Sequence, residues 1–246
     1  MRPMQEITNA INWYEHPKPG FCSAICRMFP LLLKLVSRLP RSLRLKIMEP
    51  VPSINERIVE IPWVFMNLGL EHGKILDVGC CWSSVSMELA SMGFEAWGID
   101  LDQLLLSHPN FKFIRGDVCR DSLPENYFDR VLAISTLEHI GLGHFQDAIR
   151  ADGDRQAMRS IRRVLKPGGR LLMTVPFGRG RVTEWFRVYD SRSLAELLGP
   201  LKPLRQDFFL EKNGHWIPSA REEAAVMDLT DRGRPAAVAL VEAVKQ

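Results

Sequence analysis

Four short apolar stretches, each with a polar residue at or near its end, constrain the fold of this chain most strongly. They span residues 74–79, 95–100, 111–117 and 129–135. Continuous apolar runs of this length are typical of parallel strands that are buried on both faces of a sheet. Ligands of open α/β sheets bind just outside the carboxyl ends of the strands. The four polar ends therefore predict one side of a nucleoside-shaped pocket.

Two stretches later in the chain carry a family resemblance. Residues 128–140 read FDRVLAISTLEHI, and residues 161–173 read IRRVLKPGGRLLM. A strand, a polar turn and a Lys-Pro-Gly-Gly entry into the next strand, in this order, resemble the class I S-adenosylmethionine-dependent methyltransferases. The resemblance extends from about residue 58 to the C-terminus. It implies S-adenosylmethionine as cofactor and S-adenosylhomocysteine as product.

The fold that the resemblance implies is α/β. We expect a Rossmann-like doubly wound sheet of seven strands, six of them parallel, with a reversed C-terminal strand. Residues 58–246 would form the methyltransferase domain, and residues 1–57 an N-terminal helical extension or lid. Strands are also expected at 205–210 and 236–244. Residues 236–244 are equally compatible with a helix on propensity alone, and only the resemblance favours a strand there.

Helices are predicted at residues 83–92, 100–107, 154–166 and 191–198, from their apolar spacing and the glycines and prolines that follow them. Ser191 is the expected N-cap of the last one, and Gly199 is expected to end it. Because proline lacks an amide N–H, Pro50, Pro52 and Pro62 are expected to interrupt helical structure where the extension joins the domain.

The net charge and the cysteine content argue against some classes of function. The formal net charge of the 246 residues is +3, which is too small to favour a nucleic-acid partner. The five cysteines are odd in number and scattered, so a secreted disulfide framework is not expected, nor is a metal site. We find no signal peptide and no apolar run long enough to span a membrane. These observations predict a cytoplasmic protein.

The segment at residues 21–48 is apolar and basic and contains no acidic residue. One interpretation is a helical cap that packs on the domain. The other is an interfacial helix pair on an anionic membrane or a lipid-linked substrate, which would make the protein membrane-associated. The two interpretations are compatible, and the sequence leaves the oligomeric state open.

The resemblance assigns the cofactor pocket to the ends of the first four strands. Asp77 would reach the amino-acid end of the cofactor, Asp100 would accept both ribose hydroxyls, and Asp117 would accept from the adenine amine. Leu101 would contact the adenine face. The full set is Asp77, Gly79, Cys80, Cys81, Asp100, Leu101, Gly116, Asp117, Val118, Ser135, Thr136 and Leu137.

The turn after the first strand departs from the family pattern. The family places glycines at three alternate positions, whereas only Gly79 is present here, and Cys81 and Ser83 occupy the other two. Glycine allows the backbone to approach a ligand closely, so the Cys81 side chain is expected to crowd the methionine end of the cofactor. The crowding is therefore expected to weaken binding of the cofactor more than to change which cofactor binds.

Glu138 and His139 are the catalytic candidates. Histidine titrates near neutral pH, so His139 could remove a proton from an acceptor hydroxyl. In the family this histidine also serves to order the loop, and both roles stay open. Substrate contacts are expected in the loop at 177–189, where arginines suit anionic groups and aromatic rings suit flat faces. The residues are Arg179, Arg181, Trp185 and Tyr189, while Trp13 and Tyr14 could close over the cofactor.

The sequence therefore predicts S-adenosylmethionine-dependent methyl transfer to a small-molecule or glycan acceptor, which could be anionic or lipid-linked. A non-catalytic partner subunit with a methyltransferase fold is the alternative, because the glycine-poor turn could have lost the cofactor. An NAD-dependent Rossmann oxidoreductase is less compatible, because positions 79, 81 and 84 are Gly, Cys and Ser where a dinucleotide fingerprint requires three glycines.

Overall fold

A computed structural model describes residues 55–69, 71–145, 147–231 and 233–246. Within them, residues 59–246 form one compact unit. The helices are α1 (Arg57–Asn67), α2 (Val85–Ser91), α3 (Gly153–Val164), α4 (Ser191–Leu198) and α5 (Arg221–Ala225). The strands are β1 (Lys74–Val78), β2 (Glu95–Asp100), β3 (Phe111–Arg115), β4 (Phe128–Ile134), β5 (Leu165–Pro176), β6 (Arg181–Val182), β7 (Arg187–Val188), β8 (Lys202–Lys212), β9 (His215–Ser219) and β10 (Ala237–Val244).

The main sheet has the order β3-β2-β1-β4-β5-β10-β8-β9. Strands β1 to β5 pair in parallel, and β10 is antiparallel to both β5 and β8. The prediction of a Rossmann-like sheet with a reversed C-terminal strand is therefore confirmed. Strand β9 adds an eighth, antiparallel strand at the edge.

The reversed strand β10 shows how packing overrides local propensity. Seven of its eight residues are buried, because it lies between β5 and β8 and has layers on both faces. The alanine and valine run that suits either a helix or a strand in isolation becomes a strand once it is inserted there. The expectation of a strand at 236–244, which rested on the resemblance, is confirmed.

The two faces of the sheet bury different sets of side chains. Val131 and Ala133 of β4 belong to a core cluster with Met158 and Ile161 of α3. The intervening Leu132 is equally buried but lies outside that cluster, because successive side chains of a strand point to opposite faces. The sheet is thus covered on both sides, and its carboxyl edge is free to form a site.

The helix predicted at residues 100–107 is absent, which corrects the sequence interpretation. The chain from Leu101 to Ser107 has no regular structure. Its leucines do not share a buried face, since Leu105 and Leu106 are both exposed. Pro109 also disfavours helical geometry at the residue before it. Without burial, three consecutive leucines are not enough to form a helix.

Two predictions about helix ends are also corrected. The N-cap of α4 is Asp190 rather than Ser191: its carboxylate accepts from the Ser193 N–H at 2.7 Å, and the Ser193 hydroxyl accepts from the Asp190 N–H. This is a reciprocal capping box. Helix α1 continues through Pro62, and its buried residues Ile61 and Trp63 provide packing that offsets the lost backbone hydrogen bond.

The expectations for the helical extension at 1–57, the basic segment at 21–48, and Trp13 and Tyr14 fall almost entirely outside the described residues. Among the residues that are described, none of the helices has the length and apolarity needed to cross a membrane.

Candidate active site

The end of β1 touches the end of β4 through a single glycine. Gly79 has a φ of +79°, and a Cβ there would lie 2.6 Å from both Oγ1 and Cγ2 of Thr136. The Thr136 hydroxyl lies 3.0 Å from the Val78 carbonyl, so this threonine cannot easily turn away. Before the turn, the buried Asp77 accepts a hydrogen bond of 2.7 Å from the Ser86 hydroxyl of α2. Glycine is therefore required at position 79 on two separate grounds.

The glycine-poor turn forms a short 3₁₀ helix, Cys80–Trp82. Cys80 is fully buried, and its Sγ occupies the space beside Gly98, where a Cβ would come within 2.6 Å of it. Cys81 is half-buried, and its thiol donates to the Asp102 carbonyl at 3.6 Å. The Cys81 side chain is thus held against the segment that follows β2. Its effect on cofactor affinity stays a prediction.

Asp100 is the polar end of β2. One carboxylate oxygen accepts from the Cys81 N–H at 2.8 Å, and the other accepts from the Asp102 N–H at 3.0 Å. Each oxygen keeps a further lone pair, so the carboxylate is oriented without being saturated. Leu101 follows it, half-buried, and its carbonyl accepts from Arg115 Nε at 3.1 Å. This geometry suits a carboxylate that receives two hydroxyl groups.

The end of β3 contains an ion pair that the sequence did not predict. Asp117 accepts from the Cys119 N–H at 2.9 Å and from Arg150 Nη2 at 2.7 Å. Burial alone would raise the pKa of Asp117, but these hydrogen bonds outweigh burial and hold its pKa below the ordinary value. The Asp117 N–H donates to the Asp121 carboxylate, and Val118 is buried.

The Asp121 carboxylate also occupies the space beside Gly116 where a side chain would extend. Because Arg150 engages the Asp117 carboxylate, the role of Asp117 toward an adenine amine stays a prediction.

A buried glutamate of α1 forms hydrogen bonds with the residue that follows β4. The Ser135 hydroxyl lies 2.8 Å from both carboxylate oxygens of Glu60, which is completely buried. Ser135 has a φ of +43°, an uncommon backbone conformation for a residue other than glycine. Its N–H donates to Thr174 Oγ1 of β5 at 2.9 Å, and Leu137 is fully buried. Sequence reasoning missed Glu60, because nothing local connects it to a residue 75 positions away.

His139 has a defined tautomer. Its Nδ1 lies 2.6 Å from the Trp185 carbonyl oxygen, and a carbonyl only accepts, so Nδ1 carries the proton. In the neutral ring Nε2 is then the basic nitrogen. Nε2 lies 3.7 Å from an oxygen of the Glu138 carboxylate, which is almost fully buried. The two catalytic candidates are therefore adjacent, and the basic Nε2 atom of the His139 ring is the one nearer the Glu138 carboxylate.

An aromatic surface accompanies His139. Trp185 is 55% exposed and stacks on His144, with ring centroids 4.3 Å apart and planes 13° apart. Phe145 contacts both His139 and Trp185 edge to face. Trp185 lies in the turn between β6 and β7, where its backbone N–H donates to Thr183 Oγ1 at 3.2 Å. We call His139, His144, Phe145 and Trp185 the aromatic cluster.

The remaining substrate candidates divide into exposed and buried groups. Arg179 is exposed, and Arg181 is exposed but paired with Asp228 at 2.7 Å. The expectation for Tyr189 is wrong: its side chain is buried and its hydroxyl donates to Asp154 at 2.8 Å, so it belongs to the core. Arg187, a third arginine of the loop expected to contact the substrate, is also buried and donates to the Ile140 carbonyl at 2.7 Å. It fixes the turn that follows His139.

Comparison with known proteins finds a family model that matches the strands of the candidate site. Residues 76–173, which cover most of β1 to β5, match the family described as a methyltransferase domain. The ubiquinone biosynthesis O-methyltransferase of Pseudomonas fluorescens is 25% identical over 161 residues, which are 61% of this chain and 63% of that protein. The chain thus spans less than two thirds of the length of this relative.

Two solved structures share the fold. The 1,6-didemethyltoxoflavin-N1-methyltransferase of Burkholderia thailandensis, with bound S-adenosylhomocysteine, aligns with a TM-score of 0.52 at 18% identity, over 75% of this chain and 76% of that chain. The (4+2)-cyclase SpnF aligns with a TM-score of 0.53 at 20% identity, over 78% of this chain and 83% of that chain. At such identities the likeness shows the fold alone, and two different reactions share it.

The match across β1 to β5 and the strand order with its reversed β10 agree with each other. Together they show that residues 76–173 match a methyltransferase domain and that the described part of the chain shares its fold with a solved methyltransferase.

Proposed function

We propose that this chain transfers a methyl group to a hydroxyl group of a small molecule that contains a flat ring. The observation that carries the proposal is the pairing of His139 with Trp185, since a histidine of fixed tautomer contacts an exposed aromatic surface next to the end of β4. The name of the Pseudomonas relative, an O-methyltransferase of ubiquinone biosynthesis, supports a small-molecule acceptor with a hydroxyl group.

The residues at the β1 and β2 ends support S-adenosylmethionine as the cofactor. Asp100 has both oxygens oriented by backbone N–H groups and retains lone pairs for the ribose hydroxyls. Gly79 provides a backbone without a Cβ at the point where β1 meets β4. When bound, S-adenosylmethionine supplies an electrophilic methyl group. We infer that Asp77, Gly79 and Asp100 position it and that Cys81 limits the space available.

His139 would hold the proton that the acceptor loses. The acceptor hydroxyl would give up its proton to Nε2, the basic nitrogen of the neutral ring, during the transfer. The neighbouring Glu138 carboxylate then stabilises the positive charge of the imidazolium, because an opposite charge at about 4 Å favours the charged form. The hydrogen bond to the Trp185 carbonyl keeps Nε2, rather than Nδ1, available.

The aromatic cluster would bind the ring of the acceptor. Stacking on an exposed indole contributes roughly 0.5–1.5 kcal/mol beyond the area that it buries. An aromatic ring and the apolar face of a sugar both suit such a surface, so phenolic and glycan acceptors both fit. The exposed Arg179 is the remaining candidate for an anionic group on the acceptor, because Arg181 is already paired with Asp228.

The test is release of S-adenosylhomocysteine from S-adenosylmethionine in the presence of a panel of catechols and glycosides. We expect turnover with a phenolic acceptor. Turnover should fall about 10²- to 10⁴-fold in His139→Gln, with unchanged cofactor affinity, as is typical when a general base is removed. His215→Gln, an exposed histidine of β9, is the matched control. Full turnover in His139→Gln would contradict the role of base.

A non-catalytic partner subunit is the second candidate, favoured by one observation. Cys81 and Ser83 stand where the family has two further glycines, in or next to the turn Cys80–Trp82, and the Cys81 Sγ lies within 4.8 Å of an Asp100 carboxylate oxygen. If the folded protein binds neither S-adenosylmethionine nor S-adenosylhomocysteine, the partner-subunit role replaces the enzymatic one.

A further inference from the structure

The turn between β1 and α2, together with the end of β2, brings together three side chains of types that commonly bind metal ions in proteins. One ligand atom each from Cys80, Cys81 and Asp100 lies within 4.8 Å of the other two. Bonds of about 2.3 Å to sulfur place two tetrahedral ligands about 3.8 Å apart, and two opposed ligands at most about 4.6 Å apart. The upper limit of 4.8 Å is therefore close to the separation that one ion requires.

The donor set selects a class of cation. Two thiol sulfurs with one carboxylate oxygen favour soft or borderline ions such as Zn²⁺ and Cd²⁺ over Mg²⁺ or Ca²⁺, which prefer oxygen alone. Three protein ligands leave a fourth position for water. The backbone holds the set in place, because the Cys81 N–H donates to Asp100 at 2.8 Å and Gly79 fixes the start of the turn.

Access and protonation are consistent with reversible binding. Cys81 and Asp100 are half-exposed, whereas Cys80 is fully buried beneath them. The hydrogen bond with Cys81 and burial raise the pKa of Cys80 far above its ordinary value, and the nearby Asp77 and Asp100 carboxylates add to this. Metal ions bind thiolates rather than thiols, so the affinity for the cation should increase with pH.

We propose that Cys80, Cys81 and Asp100 form a binding site for a thiophilic divalent cation, and that this cation and the cofactor exclude each other. The second part depends on the proposed function, because it assigns Asp100 to the ribose. A carboxylate that coordinates an ion cannot also accept two ribose hydroxyls. The site would therefore make cofactor binding sensitive to soft metal ions, at a turn where the family usually has glycines.

The experiment is a Cd²⁺ titration of the full-length chain under reducing conditions, followed by the ultraviolet charge-transfer absorption of cadmium thiolates. Replacing Cys22, Cys26 and Cys119 by serine leaves only the Cys80 and Cys81 thiols in the background protein. We expect one Cd²⁺ per chain in this background. Adding Cys81→Ser should remove most of the absorption, and Asp100→Asn should weaken binding at least about tenfold, the low end of what loss of a supporting group costs a metal site.

Competition is measured in the same background. S-adenosylhomocysteine at 100 times its dissociation constant should weaken the apparent Cd²⁺ affinity about 100-fold. Simultaneous binding of both would overturn the exclusion. The absence of a charge-transfer band in a background protein that retains its far-ultraviolet circular dichroism would overturn the cation site itself. If Cd²⁺ binds but S-adenosylhomocysteine does not, the cation site is supported and the proposed function is contradicted.

Discussion

The two halves of the candidate active site are assembled in different ways. In the half formed by β1 to β3, Asp100 and Asp117 each accept from a backbone N–H two residues later in the chain. In the half formed by β4 and β5, His139 depends on a carbonyl 46 residues away, and Ser135 on a glutamate 75 residues away. Local turn geometry therefore orients the two carboxylates of the first half, and packing between distant segments shapes the second. The Arg150 ion pair with Asp117 is a long-range contact that the first half has in addition.

This difference separates the expected effects of substitutions. Changes in the β1 to β3 half should alter cofactor affinity or the stability of the turn. Changes in the β4 to β5 half should alter turnover or acceptor affinity and leave the cofactor affinity unchanged. Four variants test this separation.

The largest effect is expected from Gly79→Ala. A left-handed backbone costs an alanine roughly 1–2 kcal/mol, and the clash with the pinned Thr136 adds roughly 1–3 kcal/mol. Gly214→Ala is the matched control, because Gly214 also has a φ of +79° but has nothing within 4 Å of its would-be Cβ. Urea unfolding should show a clearly greater loss of unfolding free energy for Gly79→Ala. Equal losses would mean that the contact between β1 and β4 is unimportant.

Asp100→Asn should weaken binding of S-adenosylhomocysteine roughly 10- to 100-fold, which corresponds to about 1.5–3 kcal/mol for hydrogen bonds to a charged group. Glu95→Gln, at the exposed start of the same strand, should leave the dissociation constant unchanged. Calorimetry measures both. An unaltered constant in Asp100→Asn would remove this carboxylate from the pocket.

Asp117→Asn tests the ion pair with Arg150 through its pH dependence. Because the pKa of Asp117 is lowered in the folded state, its contribution to stability is present above its ordinary value of 3.8 and is lost as the pH falls through the folded-state pKa. The variant should lose about 1–2 kcal/mol of unfolding free energy at pH 7.

Part of the decline of stability below pH 3.8 should also disappear in Asp117→Asn. Urea unfolding between pH 2 and pH 7 measures this, with Asp231→Asn in an exposed turn as the control. If the unfolding free energy of the variant declined in acid in the same way as that of the natural protein, the pairing would be contradicted.

The smallest effect is expected from Trp185→Leu. Loss of ring stacking should raise the KM for a phenolic acceptor roughly 2- to 10-fold, which corresponds to about 0.5–1.5 kcal/mol. The cofactor affinity should stay the same, because Trp185 belongs to the other half of the site. Steady-state kinetics with each substrate varied in turn separates the two. A weaker cofactor affinity with an unchanged acceptor KM would reverse the assignment of the two halves.

The sequence predicted the parts that depend on neighbouring residues. The buried strands, the polar ends Asp77 and Asp100, and the stop at Gly199 follow from apolar runs and turn residues that act over a few positions. The sequence also suggested a helix at 100–107, which fails because its leucines are not buried together.

Contacts over long separations could not be predicted in the same way. Glu60 against Ser135, Arg150 against Asp117 and the burial of Tyr189 against Asp154 are decided by how helices and loops pack on the finished sheet. No periodicity or turn motif encodes such pairs. The departure from the glycine pattern at Cys81 was visible in the sequence, but its proximity to Asp100 required the fold.

The central claim is that the β1 and β2 ends bind S-adenosylmethionine while His139 and Trp185 serve the acceptor. Calorimetric titration of S-adenosylhomocysteine into the natural protein, Asp100→Asn and His139→Gln tests it most directly. We expect micromolar binding at one site per chain in the natural protein and in His139→Gln, and much weaker binding in Asp100→Asn. Absence of binding to the folded natural protein, or equal binding to all three, would contradict it.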